Sequence, residues 1–175
     1  MSDYVNRMIR AAKLDVRLYE EVEADTGALW QAMGVVVLSS LAAGVGSIST
    51  VGVLGLLLGT ISALLGWYVW AYLTYLIGTK WLPEPQTRAN HGELLRTIGF
   101  ASSPGLIRIL SIIPGLTWLV YAVAGIWMLV AMVIAVRQAL DYQSTLRAVG
   151  VCLIGWVIQG LVMALLLVLF GGTPS

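Results

Sequence analysis

One cysteine, one histidine and only two phenylalanines occur in the 175 residues, and charged residues make up no more than 11% of them. Each scarcity removes a class of protein. Cys152 has no second cysteine to pair with, and inside an apolar run it reads as a small buried hydrophobe rather than a redox group. His91 stands in a polar linker with no Cys or second His beside it, so it reads as a solvated residue and no metal centre is expected. Ten Lys and Arg nearly balance nine Asp and Glu, and the net charge of +1 leaves no basic surface for nucleic acid. There is no Gly-rich loop followed by Lys and Ser or Thr, which excludes a nucleotide motor. A serine hydrolase inside a membrane would need a base at the depth of its serine, and His91 lies outside every apolar run. No catalytic residue and no cofactor are expected.

What fills the chain instead is hydrocarbon: 59% of residues are hydrophobic, in long blocks. The fold class that follows is all-α, a polytopic transmembrane helical bundle. Measured against the roughly 20 residues an apolar helix needs to cross a bilayer, the blocks give five spans, at 29–45, 51–77, 94–113, 116–136 and 146–170. Between the first two spans lies "GVGSISTVG", and between the third and fourth only Pro114 and Gly115, so both connections are tight hairpins.

The first 27 residues read as a separate amphipathic segment, with no apolar core of a cleavable signal. Val5, Met8, Ile9, Ala12, Val16 and Tyr19 share one helical face, opposite Arg10, Lys13 and Arg17, the pattern of a helix at a membrane surface. A break is expected at 13–15, with Asp15 capping a second short helix that holds Leu18, Tyr19 and Val22. Residues 28–171 then form the membrane domain and 172–175 a short tail. Lys and Arg crowd the N-terminal segment, the linker after the second span and the loop after the fourth, and are absent from both hairpins and the tail. Basic residues in short loops stay cytoplasmic, which places the N-terminus inside and the C-terminus outside.

The third span, containing "GFASSPGLIRILSIIPG", is the irregular one. Pro104 removes a backbone donor and crowds the carbonyl four residues earlier, so a kink is expected, with Ser102 and Ser103 satisfying the freed groups. Broken helices also build transporter sites, though usually as a matched pair in two repeats, and no second broken segment occurs here. Arg108 sits about five residues from the outer end of this span, while all nine acids lie on the cytoplasmic side. It must reach water, a lipid phosphate, backbone carbonyls or another protein, which makes Arg108, Ser102, Ser103 and Pro104 candidate lipid or partner contacts. Gly52, Gly55, Gly59 and Gly66 line one side of the second span as candidate helix packing, within the chain or in a homo-oligomer, and Gly150 and Gly155 give the fifth a shallower groove. Arg137 and Asp141, four residues apart at a helix end, form a candidate ion pair.

The stretches "LYEEVEAD", "GFASSPG", "IPG" and "IWMLVAMVIAVRQALD", spread over 18–158, resemble the Yip family of Ypt/Rab-interacting membrane proteins in its short bacterial form. The resemblance implies five transmembrane helices with a cytoplasmic N-terminus and supplies no catalytic residue. Eukaryotic members bind prenylated Rab-type GTPases through a setting that includes a long cytosolic N-terminal region. That region is not found here, and GTPase binding is not expected. The reading is a non-enzymatic membrane protein that acts as a scaffold or organises membrane by binding lipid or a protein partner. The alternatives are a small transporter or channel built on the broken third helix, or an accessory subunit of a larger membrane complex.

Overall fold

The computed structural model describes residues 2–45 and 48–170. Among these residues there is no strand; helices joined by short turns and one linker, 82–90, make up the fold. Helix α1 (Ser2–Ala12) stops where Leu14 enters the left-handed region at φ 62° and the Asp15 amide reaches back to the Arg10 carbonyl. Asp15 then caps α2 (Val16–Ala24), accepting the Arg17 amide at 3.1 Å. As the sequence suggested, α2 buries Leu18, Tyr19 and Val22.

The orientation of α1 differs from its apolar stripe. Met8 and Ala11 are buried, but Val5, Ile9 and Val16 remain 42–50% exposed. Ion pairing turns the helix: Arg7 reaches Glu21 and Asp25, both at 2.9 Å, and Arg10 reaches Asp15 and Glu21. The outward stripe faces the surroundings of the protein, where a bilayer can cover it.

Among the described residues four helices are long and apolar enough to cross a membrane: α3 (Ala28–Val45), the stretch Gly52–Trp81, α6 (Thr117–Ala139), and Thr145–Val162 of α7 (Thr145–Phe170). The second of these takes in α4 (Ile48–Leu76) from Gly52 onward and the π-helical turn that continues it, Ile77–Trp81. Gly52 interrupts α4 at φ 67°, ψ −176°, a conformation open essentially to glycine alone.

The third segment is two helices of different kind. A capping box between Asn90 and Glu93 starts α5 (His91–Phe100), and a ten-residue 3₁₀ helix, Ser103–Ile112, follows after Ala101 and Ser102. Pro104 opens the 3₁₀ helix, where its missing N–H costs least. The expected help from Ser103 is not realised: its hydroxyl is buried without a hydrogen-bond partner. Gly115, at φ 85°, makes the turn into α6. The 3₁₀ helix packs chiefly between α3 and α6, and α5 between α3 and α4.

One end of the bundle is fastened by polar bonds. Glu84, in the linker after α4, accepts the Gln143 and Ser144 amides just ahead of α7, and the Ser144 hydroxyl in turn accepts the Arg147 amide of its first turn at 3.4 Å. Arg96 is 6% exposed and donates to the Val22 and Glu23 carbonyls, closing the C-terminus of α2. His91 is not a freely solvated residue. It is partly buried edge-on against Tyr68 and Tyr72, with ring centroids 4.9 and 5.6 Å away.

Candidate functional site

The membrane segments line an open cavity of about 610 Å³ to which every one of them contributes. Helix α3 supplies Ser39 and Ser40, α4 supplies Gly66, Trp67 and Trp70, and the broken third segment supplies Ser102 and Arg108. Met128 and Met132 come from α6, and Gln159 and Gly160 from α7. The size lies within the range of about 300–1,000 Å³ typical of small-molecule pockets.

Its walls are mainly apolar, and among the described residues no carboxylate lines them and Arg108 is the one charged group in the lining. Its guanidinium carbon lies 5.5 Å from the centroid of the Tyr121 ring, and the Tyr121 hydroxyl donates to the Ala43 carbonyl at 2.5 Å. The aromatic face offers the cation a partial partner. Arg108 Nε is nevertheless buried without a hydrogen bond, and so are Trp70 Nε1 and Gln159 Oε1 on the same cavity. Ser40 is already engaged with the Val37 carbonyl and Thr60.

Of the residues singled out in the sequence, Arg108 and Ser102 meet at this cavity, while Ser103 and Pro104 are buried beside it in the start of the 3₁₀ helix. Gly66 lines the cavity. A Cβ placed at Gly52, Gly59 or Gly66 would meet nothing within 4 Å. The close approaches within the chain are made elsewhere. A Cβ on Gly99 would stand 2.7 Å from that of Ala32, Gly105 lies against Ser39 and Met128, and Gly155 against Trp70 at 3.0 Å. Gly99 and Gly105 sit inside the quoted third-span motif, next to the proline that drew attention away from them. Gln159 and Trp70 had no sequence signal beyond being polar-capable groups inside apolar runs.

Arg137 and Asp141 lie at the opposite, polar end. Among the described residues the ion pairs within 4.0 Å do not include these two; Arg137 Nε donates to the Tyr142 carbonyl at 3.2 Å. Asp141 occupies the left-handed position at φ 54° that ends α6, with the Tyr142 amide bonded back to the Arg137 carbonyl. Both residues border a second, polar cleft with Glu20, Glu23 and Glu93. Among the described residues no group of three His, Cys, Asp or Glu is placed to hold a metal ion.

No curated protein and no solved structure gives a significant match to the chain. The Yip1 domain model matches residues 16–175, from α2 through all the membrane segments to the last residue. The chain therefore belongs to the Yip1 family of membrane proteins.

Proposed function

We propose that this chain is a non-enzymatic integral membrane protein that organises bilayer lipid by holding it within its helix bundle. The supporting observation is the apolar cavity shared by all the membrane segments, where among the described residues Arg108 is the one charged lining group and no carboxylate is present. A half-buried cation without a carboxylate beside it is costly in a bilayer interior, and a lipid anion supplies what the cavity wall does not. In this reading α5 and the 3₁₀ helix together form a fifth, broken span within a membrane domain over 28–171. At about 1.5 and 2.0 Å per residue their ten residues each add up to roughly 35 Å, enough to cross. The basic end then faces the cytoplasm.

Mass spectrometry of the intact particle, extracted gently in native lipid, tests the reading. Retained lipid in the wild type, diminished in Arg108→Leu, supports it. A bare particle in both samples overturns it. The competing reading, a solute carrier, draws on Ser102 lining the cavity beside the helix break. It predicts solute flux in proteoliposomes, and lipid exchange without flux would set it aside.

A further inference from the structure

The cavity has a side door. Along the seam between α4 and α7 the helices come close at Gly155, where an added Cβ would stand 3.0 Å from the Trp70 ring. One turn further from the polar end, Gly66 on α4 and Gly160 on α7 both line the cavity, and a Cβ on either would meet nothing within 4 Å. The seam is closed at one level and open at the next. The outer surface of α4 on this stretch is bare of protein, with Leu58, Ile61 and Leu65 54–63% exposed.

The chemistry inside the opening is one-sided. Trp70, 9% exposed, has an indole N–H without an acceptor, and Arg108 Nε likewise lacks one. Gln159, whose amide can present either an oxygen or an NH₂ group, is also short of a partner at Oε1. Two donors, one of them cationic, call for an acceptor-rich anionic group, and the apolar walls call for hydrocarbon attached to it.

We infer that the α4–α7 seam is a lateral portal through which an acidic phospholipid inserts, its phosphate meeting Arg108 inside the cavity and its acyl chains lying out along the seam. This rests on the proposed lipid-holding function and adds the charge class of the lipid and its route of entry. Charge complementarity decides between lipids: a zwitterionic headgroup brings its own cation and no net charge to offset the guanidinium. The two glycines matter as absent side chains, since any larger residue at 66 or 160 narrows the passage.

The purified full-length chain is exchanged into nanodiscs holding equal phosphatidylglycerol and phosphatidylcholine with matched acyl chains, and the lipid retained on release is counted by native mass spectrometry. The wild type is expected to keep phosphatidylglycerol about tenfold over phosphatidylcholine, a difference of about 1.4 kcal/mol set by the choline cation's repulsion and lack of net charge. Arg108→Leu should bring the ratio near one, Arg108→Lys should keep most of it, and Gly160→Leu should cut retention of both lipids. Excess inorganic phosphate should not compete; competition would overturn the lipid assignment in favour of a soluble anion. Equal retention of the two lipids by the wild type, or a preference untouched in Arg108→Leu, overturns the inference while leaving lipid holding intact. No retained lipid of either kind overturns both. If Arg108→Leu fails to fold, Arg108→Lys and Gly160→Leu carry the test: unchanged retention in Gly160→Leu rejects the portal.

Discussion

Trp127 donates its indole N–H to the carbonyl of Ala12 at 2.8 Å, joining the last turn of α1 to the middle of α6 across 115 residues of sequence. The first helix is therefore a fixed part of the bundle rather than a loose arm, held by this bond on one side and by Arg7 and Arg10 on the other. Trp127→Phe keeps the ring and removes the bond. It is expected to cost about 1 kcal/mol, and hydrogen exchange should show the amides of α1 opening faster while those of α6 stay protected.

Arg96 serves two carbonyls at once. Arg96→Leu strands the Val22 and Glu23 carbonyls together and should destabilise the protein by about 2–3 kcal/mol. Arg96→Lys should recover only part of the loss, because an ammonium cannot reproduce the planar two-point contact. Thermal unfolding in detergent, run on both variants, reads the difference.

Stability should also depend on Glu23. Burial first, then the nearby Asp141 and Glu93 carboxylates, push its pKa up to about 7 from 4.5. The folded state thus holds the proton more tightly than the unfolded chain. The resulting stabilisation is complete below about pH 4.5 and is lost as pH rises through about 7. Glu23→Gln should therefore be more stable than the wild type at about pH 8 and indistinguishable from it near pH 4.5. A melting-temperature difference that does not shrink on acidification would contradict this.

Asp141 holds a backbone position that suits glycine better, with a left-handed cost of roughly 1–2 kcal/mol for an ordinary L-residue, less for Asp. Asp141→Gly should raise the melting temperature, both by easing φ and by removing a carboxylate from the vicinity of Glu23. Asp141→Val should lower it. The two substitutions remove the same charge, so an equal response in both would mean that charge alone matters there.

Gly99 and Gly59 make a contrasting pair. Gly99→Ala drives a methyl group into Ala32 and should cost about 1–3 kcal/mol of overpacking, whereas Gly59→Ala enters open space and should leave the monomer's stability unchanged or raised. Loss of a retained lipid or of an assembled particle in Gly59→Ala, with the monomer intact, would locate an outside contact on that face.

Much of the architecture could be read before any coordinates. Apolar run length predicts α3, α4, α6 and α7, because a bilayer selects on length and greasiness alone, and Asp15 announces the start of α2 through its capping chemistry. The third segment was legible as irregular but not in form: Pro104 forbids a continuous α-helix without saying that ten residues of 3₁₀ helix will follow. Which face of α1 turns inward depended on Arg7 finding Glu21 and Asp25, an attraction between helices that one-helix periodicity does not contain. Arg108 stood out as a charge in the wrong solvent. Trp70 and Gln159, its neighbours on the cavity wall, did not, since only the tertiary arrangement leaves their polar atoms without partners.

Helices α3 and α4 are consecutive neighbours of very unequal reach. Eighteen residues of α3 cover roughly 27 Å, and the thirty from Gly52 to Trp81 roughly 45 Å. A bilayer sheet of uniform thickness cannot match both when they stand parallel, so it must pinch beside one helix, swell beside the other, or lean the longer helix over. Leaning keeps the bilayer even, whereas the other two responses would make its thickness vary around the protein's perimeter. If the helix leans, its apolar length sets the tilt; if the bilayer yields, the mismatch costs less in a thicker membrane than in a thinner one.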